Sequence, residues 1–188
     1  DTDHMGDMLE VAKHFSIKEI YVSKGSLTQS DFVEKLERMQ TRVHAVEVGD
    51  KLPIFDGALQ VLYPEETGDG SNDDSVVLYG KFFGTSFLFT GDLEENGEAT
   101  LMRRFPQLKV DVLKAGHHGS KGSSSPEFLH QLQPKIALIS AGKNNRYKHP
   151  HRETLDRFEN IQTQIFRTDE QGAIRFSGWD SWEIETVK

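Results

Sequence analysis

Aspartate and histidine residues recur in this sequence at the ends of predicted elements: the motif DTDH (residues 1–4) precedes a helix, and TGD (90–92) and HHGS (117–120) follow strands. Loops that follow strands are where binding sites are built on a rigid scaffold. Carboxylates and imidazoles are ligands that suit Zn, Mn and Fe. The motifs therefore predict a metal site drawn from Asp1, Asp3, His4, Asp92, His117, His118 and His149.

Each motif also has a plain structural interpretation. Asp92 can cap a helix beginning near Leu93, and the paired histidines can form a proton-transfer site or a solvated turn. Alternatively, Gly91 lets the backbone turn sharply and present Asp92 at the open end of its strand, where the carboxylate can bridge two cations. Metal binding is the interpretation that covers all the motifs together. Ordinary surface or core imidazoles are expected at His14, His44, His130 and His151.

Composition limits the classes of protein to consider. The chain has 188 residues, of which 36% are hydrophobic and 28% charged, as in an ordinary globular protein. We therefore expect a single domain over residues 1–188. No run approaches the roughly 18 apolar residues needed to cross a bilayer. Because the sequence contains no cysteine, disulfides and thiolate metal sites are excluded.

The formal net charge of −8 argues against nucleic-acid binding through bulk electrostatics. A local basic stretch is nevertheless present, formed by Lys143, Arg146, Lys148, His149, His151 and Arg152. This stretch either contacts phosphate or forms a solvated loop that leads into a helix.

Hydrophobic periodicity predicts a mixed α/β chain around these motifs. Helices are expected near residues 5–11, 30–40, 95–105, 126–133 and 151–160. Strands are expected at 18–23, 43–50, 57–64, 75–84, 86–92, 110–116, 135–142, 164–168 and 172–178. The segment 65–74 is expected to be an exposed acidic loop, and the last two strands are expected to pair with each other.

Local signals refine three of these elements. Ser30 or Asp31 is the predicted N-cap of the second helix. A turn at Gly84 and Thr85 is predicted to join two strands into a hairpin. Pro126 is predicted to open the helix at 126–133 from its first turn.

The combined motifs resemble those of metallo-β-lactamase-fold hydrolases, and more closely those of the carboxy-terminal domain of the ComEC family of DNA-internalisation competence proteins. The matching stretches are DTDHMGD, NDDSVVLYG, FLFTGD, VDVLKAGHHGSKGSSS, LISAGKNNRYKHPH and TDEQGAIRF. The resemblance implies a four-layer αββα sandwich with the metal site at the edge between two sheets. It also implies a domain whose amino-terminal part is truncated, with a further metal-binding histidine two residues before Asp1.

The resemblance further implies two divalent cations, Mn or Zn, and assigns ligands to them. Asp3 and His4 bind one cation, Asp1 contributes to the other, Asp92 bridges the two and His117 is a further ligand. One departure from general metallo-β-lactamase enzymes concerns a position where they place a histidine. Here Asn72, Asp73 and Asp74 occupy that region, which implies a weaker or more Mn-like site.

The implied catalytic residues are Asp3, His118 and His149. His118 is either a ligand or a neighbour of the ligands, and His149 either binds metal or stabilises the leaving group. The glycine- and serine-rich loop after the histidines either approaches phosphate through its amides and hydroxyls or is a plain surface loop. Contacts with substrate are expected from Ser120, Lys121, Lys143, Asn145 and Arg146.

The resemblance implies hydrolysis of DNA phosphodiesters by a domain of a competence channel, which degrades the strand that does not enter the cell. Its implied partners are DNA, the transmembrane part of the parent protein and other DNA-uptake proteins. The parent protein is expected in the bacterial membrane, with this domain on the extracytoplasmic side. Two alternatives remain open: a small-molecule phosphodiesterase or other ester hydrolase on the same scaffold, and a non-catalytic module that docks or guides DNA.

Overall fold

The computed structural model describes residues 4, 6–54, 57–177 and 183–187. The predicted site residues Asp1 and Asp3 lie outside the described residues. The strands are β1 Glu19–Ser23, β2 Arg42–Val46, β3 Lys51–Ile54, β4 Gly57–Tyr63, β5 Val77–Phe82, β6 Thr85–Phe89, β7 Val112–Lys114, β8 Ile136–Ile139, β9 Gln164–Arg167, β10 Ala173–Ser177 and β11 Glu183–Val187. The helices are α1 Met8–His14, α2 Ser30–Met39, α3 Glu95–Arg104, α4 Pro126–Leu132, α5 Arg152–Asn160 and α6 Thr168–Gln171, and short 3-10 turns occur at Gly25–Thr28, Asn72–Asp74 and Gly116–Gly119.

Strands β3 to β9 form one seven-stranded sheet in chain order. Pairing is antiparallel from β3 to β6 and parallel from β6 to β9. Because β6, β7 and β8 run in the same direction, their carboxyl ends share one edge of the sheet. The segments that follow them, which carry Asp92, His117, His118 and Ser140, are brought together at that edge.

Helices α3, α4 and α5 cover one face of the large sheet. The buried cluster between them and the sheet includes Leu88, Leu101, Phe128, Leu132 and Phe158. Burying a side chain of this size contributes about 1.5–3 kcal/mol, so this cluster is a main source of stability beneath the site. On the opposite face, Leu59, Val61 and Phe89 of the large sheet pack with Tyr21 of β1 and Val46 of β2.

The parallel pair β1 and β2 lies over that opposite face and has helices on its far side. Val22, Phe32 and Leu36 form the buried cluster between this small sheet and helices α1 and α2, with Met8 packed against it. The order of layers is therefore helices, sheet, sheet, helices. This confirms the predicted four-layer αββα architecture.

The two carboxy-terminal predicted strands do not pair with each other, so that prediction is wrong. Strand β9 joins β8 in parallel at the edge of the large sheet, while β10 pairs with β11 in antiparallel fashion. The physical reason is the helix α5 that connects β8 to β9, because a strand-helix-strand unit returns the chain parallel to its first strand. The short helix α6 then separates β9 from β10.

Three local predictions concern a helix N-cap, a hairpin turn and the start of a helix, and their outcomes differ. Helix α2 begins at Ser30 with Gln29 in the N-cap position and no side-chain cap bond, so neither Ser30 nor Asp31 is the cap. The hairpin of β5 and β6 turns at Phe83 and Gly84, one residue earlier than predicted. Helix α4 does carry Pro126 in its first turn, as predicted.

The acidic segment 65–74 is not simply an exposed loop. Asp74 is only 3% exposed, and its Oδ2 accepts hydrogen bonds from Ser23 Oγ at 3.0 Å and from the amide of Gly70 at 3.2 Å. Hydrogen bonds to Oδ2 offset part of the cost of burying this carboxylate. The sequence composition of the segment is that of a loop, but Asp74 ties it to β1.

No helix among the described residues is both long and apolar enough to cross a membrane. The single-domain boundary of 1–188 stays a prediction.

Candidate metal centre

His4, Asp92 and His118 form a compact group at the edge of the large sheet. The Nε2 atom of His4 lies 2.9 Å from Asp92 Oδ2 and 3.0 Å from His118 Nε2. His118 Nε2 lies 3.8 Å from Asp92 Oδ1. One ligand atom from each residue lies within 4.8 Å of the other two. Two imidazole nitrogens and a carboxylate at this spacing can share one cation.

Asp92 is presented by a sharp turn directly after β6. Gly91 has a φ of +59°, a left-handed conformation that suits glycine, and this confirms the predicted turn. The amide of Asp92 donates to Ser75 Oγ at 3.0 Å, which fixes the backbone at the ligand. The side chain is 6% exposed, so the carboxylate reaches the site from within the protein.

Asp92 does not cap the following helix. Helix α3 begins at Glu95 with Glu94 in the N-cap position. Asp73, from the 3-10 turn at 72–74, accepts hydrogen bonds through Oδ1 from the amides of Glu94 at 3.0 Å and Gly97 at 3.3 Å. Asp73 therefore performs the capping role across the fold, and the carboxylate of Asp92 is left to the site.

The charge state of Asp92 fits a cation site. Burial opposes ionisation of its carboxyl group, but the hydrogen bond from His4 and the charges of His4, His118 and Lys114 outweigh it, so the pKa lies below its usual value. Its Oδ1 atom is buried and has no hydrogen-bond partner within the described part of the chain. An ionised carboxylate with an unpaired buried oxygen beside two imidazoles fits a divalent metal.

Lys114, at the end of β7, is a charged neighbour that sequence reasoning missed. Its Nζ donates to the carbonyl of Gly91 at 3.2 Å. Burial lowers the pKa of Lys114, while the charge of Asp92 raises it. This lysine fastens the turn that carries Asp92 and adds positive charge behind the carboxylate.

The two histidines after β7 have an uncommon backbone. His117 and His118 have φ values of +44° and +54°, both in the left-handed region that residues with side chains rarely adopt. Such strain persists where the surrounding structure holds it, often at functional sites. His118 donates from Nδ1 to the carbonyl of Ser140 at 2.8 Å, which fixes its tautomer and leaves Nε2 for the site.

His117 faces a different partner, Glu94. Its Nδ1 lies 3.1 Å from Glu94 Oε1, and Asn72 donates from Nδ2 to the same oxygen at 3.1 Å. A carboxylate that accepts a hydrogen bond from one ring nitrogen orients an imidazole whose other nitrogen binds metal. His117 is not part of the group formed by His4, Asp92 and His118, so its role as a ligand stays a prediction.

The contact between Glu94 and His117 gives a test of that role. We expect Glu94→Ala to weaken binding of Zn or Mn about 10- to 100-fold, because loss of a residue that orients a ligand imidazole has this effect. Competition with a chromophoric chelator measures the affinity. Glu95→Ala, one residue along on the exposed side of α3, is the matched control. Equal affinities for the two variants would contradict a ligand role for His117.

The loop after the histidines is neither a phosphate cradle nor a plain surface loop. Its amides are used inside the protein. The amide of Ser120 donates to the carbonyl of His117, and that of Ser123 donates to the carbonyl of Ser120. The amide of Lys121 donates to His151 Nδ1, and that of Gly122 donates to Ser120 Oγ. The amides of Ser124 and Ser125 donate to the Glu98 carboxylate. Both readings of the sequence are therefore wrong about this backbone. Substrate contact by the side chains of Ser120, which is buried, and of Lys121, which is exposed, stays a prediction.

The loop that carries His149 is held by Asn145. Asn145 accepts through Oδ1 from the amide of His149 at 3.0 Å, and its Nδ2 donates to the carbonyls of His149 at 2.6 Å and Gly142 at 2.9 Å. This side chain therefore shapes the loop, and its expected contact with substrate stays a prediction. Lys143 and Arg146 are exposed beside it.

His149 lies beside both paired histidines. Its ring centroid is 5.4 Å from that of His117 and 6.3 Å from that of His118. Burial, together with the charges of His151, His117 and His118, lowers the pKa of His149 to about 4. The imidazole is therefore neutral at pH 7, the form in which histidine binds metals.

The comparisons with known proteins agree with this fold. Residues 1–143 match the metallo-beta-lactamase superfamily, and the chain belongs to that family. It is 43% identical over 180 residues to ComE operon protein 3 of Bacillus subtilis (strain 168), which covers 94% of this chain and 23% of that protein. It is 38% identical over 125 residues to Competence protein ComA of Neisseria gonorrhoeae, covering 65% of this chain and 18% of that protein.

A third relative is Recombination protein 2 of Haemophilus influenzae, 34% identical over 131 residues, covering 69% of this chain and 16% of that protein. The chain thus spans less than a quarter of the length of each of these relatives. The matches confirm the resemblance to the ComEC family and place the chain on a fold typical of metal-dependent hydrolases.

Proposed function

We propose that this domain hydrolyses phosphodiester bonds of DNA with the help of divalent metal, as part of a competence system for DNA uptake. The observation that carries the proposal is the group of His4, Asp92 and His118, with its ionised and buried carboxylate, in a chain similar to competence proteins. The Oδ1 atom of Asp92, which is buried and has no hydrogen bond to any described residue, adds support to this proposal.

The donor set favours Mn or Zn, because it combines carboxylate oxygen with imidazole nitrogen. A bound divalent cation supplies an activated water and neutralises charge on the phosphate. His4, Asp92 and His118 would hold one ion. Two ions are expected in the complete site, with Asp1, Asp3 and His117 as further ligands.

Contact with DNA is proposed for a small basic surface rather than for the whole domain. Lys121, Lys143, Arg146 and Lys148 are exposed on the loops that follow His118 and lead to His149, in a chain with a net charge of −8. Because few phosphates are neutralised by so few cations, DNA binding should depend only modestly on salt. Because the rest of the surface is acidic and repels phosphate, DNA would be confined to this one face.

The parent protein is proposed to be a membrane channel subunit, as the resemblance to the ComEC family implies. ComE operon protein 3 and Competence protein ComA are more than four times longer than the matched segment, which is compatible with further, membrane-spanning parts. In that arrangement the domain would lie outside the cytoplasm and degrade the strand that does not enter the cell. Its partners would be DNA, the transmembrane portion of the same protein and other DNA-uptake proteins.

The test is a substrate panel assayed with Mn, with Zn and with chelator. We expect metal-dependent cleavage of labelled DNA, abolished by the chelator, with an Asp92→Asn preparation as the control for contaminating nuclease. Hydrolysis of bis(p-nitrophenyl) phosphate without cleavage of DNA would select a small-molecule phosphodiesterase instead. Metal and DNA binding without turnover on any substrate would select a docking module.

A further inference from the structure

A cavity of about 350 Å³ opens beside the metal centre, on the side of the loop that carries His149. It is lined by His118, Ser140, Ala141, Gly142, Asn145, Arg146, Tyr147 and His149. Cavities of this size hold a small planar ligand. The proposed DNA substrate offers one such unit per nucleotide, its base.

Planar side chains dominate the wall of this cavity. Tyr147 is 49% exposed, and its ring is inclined by 22° to that of His149, with centroids 5.7 Å apart. The ring of His149 is in turn inclined by 18° to that of His118. The guanidinium of Arg146 lies over the Tyr147 ring at 4.5 Å. The three nearly parallel rings of His118, His149 and Tyr147, with the guanidinium of Arg146 over the last of them, form the kind of platform on which nucleobases stack.

The cavity adjoins the metal centre, because His118 belongs to both. Its Nε2 lies in the group with His4 and Asp92, and its ring lines the cavity. A phosphate at the metal centre would therefore place the base of an adjoining nucleotide against Tyr147. Exposed Lys143 and Lys148 on the same loop offer positive charge to the strand's backbone.

The polar groups around the cavity are largely committed to the loop itself. The carbonyl of Ser140 accepts from His118, and the carbonyl of Gly142 accepts from Asn145. The side-chain amide of Asn145 is bonded to His149. With these groups occupied, the wall offers flat surfaces rather than a pattern of donors and acceptors. A ligand would be held by stacking, which tolerates any base.

We propose that this cavity binds an unpaired nucleobase next to the cleaved phosphate, stacked on Tyr147 and Arg146. This inference rests on the proposed hydrolysis of DNA and names its substrate class: a strand that is single-stranded at the site, with little sequence preference. A paired base cannot enter, because its faces are already covered by its neighbours in the duplex.

The first test measures binding without turnover. Fluorescence anisotropy with a labelled single-stranded 20-mer and its duplex, in chelator, should show tighter binding of the single strand. Tyr147→Ala should weaken single-strand binding about tenfold, while Tyr147→Phe should stay near the unchanged protein because it keeps the ring. Phe83→Ala, an exposed aromatic at the far end of β6, is the matched control. Equal single-strand affinity in Tyr147→Ala and Phe83→Ala would overturn the proposal.

The second test uses turnover and separates this inference from the proposed function. A single abasic residue moved along a labelled strand should slow metal-dependent cleavage at the adjoining phosphate in the unchanged protein, and Tyr147→Ala should lose that dependence. If the abasic residue slows cleavage by Tyr147→Ala as much as by the unchanged protein, the cavity is not the base site. If the unchanged protein cleaves no DNA, the proposed hydrolysis fails, while the binding measurement still decides whether Tyr147 holds a base.

Discussion

The Asp92→Asn variant should bind Mn or Zn at least about 100-fold more weakly than the unchanged protein, more than the loss expected for a residue that only orients a ligand. Metal-dependent hydrolysis should fall by about 1,000-fold or more, because several kcal/mol of charge stabilisation is lost with the metal. The reason is that Asn has the shape of Asp but lacks the negative charge that the buried site presents between His4 and His118. Isothermal titration calorimetry and cleavage assays measure the two effects.

Asp69→Asn is the matched control for this change. It makes the same substitution on the acidic segment 65–74, where Asp69 accepts from the amide of Ser71 and is exposed. Thermal unfolding in chelator shows whether each variant is folded. Should Asp92→Asn keep the metal affinity of Asp69→Asn, the assignment of Asp92 as a ligand would be wrong.

Truncation of Glu98 to Ala should lower the free energy of unfolding by about 3 kcal/mol. Glu98 is 1% exposed, and its carboxylate accepts the amides of Ser124 and, at 2.9 Å, of Ser125. Burial raises the pKa of Glu98, although these hydrogen bonds oppose the shift. Its removal leaves two buried amides without acceptors and a cavity under the loop. Chemical denaturation measures the loss.

Two further variants make this prediction specific. Glu98→Gln keeps one acceptor oxygen but turns an NH2 group toward an amide donor, so we expect an intermediate loss. Glu127→Ala, an exposed glutamate in the first turn of α4, should leave stability nearly unchanged. A Glu98→Ala protein as stable as Glu127→Ala would show that the loop after His118 does not depend on this carboxylate.

The framework of the site could be read from the sequence because its residues follow strands. Apolar runs ending in TGD and in HHGS predicted β6 and β7, and the parallel pairing of these strands brings Asp92 and His118 to one edge. Gly91 was predictable for the same local reason, since a sharp turn favours glycine.

The supporting contacts could not be read in this way, because they join residues distant in the chain. Glu94 and Glu98 look like ordinary helix carboxylates, but one contacts His117 and the other satisfies amides of the loop after His118. The sequence suggests an ordinary strand-end lysine at Lys114, but its side chain is half-buried behind Asp92 and contacts the carbonyl of Gly91. The serine-rich composition of residues 123–125 suggested exposure, whereas tertiary hydrogen bonds bury these serines.

The pairing of β9 also could not be predicted from the sequence, because it depends on the topology of the whole fold. Neighbouring apolar runs at 164–168 and 172–178 have the alternation of a hairpin. Helix α5 precedes the first run and returns the chain to the large sheet, where that run pairs with β8 as β9. This pairing is visible only in the tertiary fold.

Anomalous X-ray diffraction from crystals of the protein loaded with Mn would locate the metal relative to His4, Asp92 and His118. We expect an anomalous peak in direct contact with the carboxylate of Asp92 and with Nε2 of His4 and His118. A peak elsewhere on the chain, or none at a Mn concentration that saturates binding in solution, would contradict this assignment.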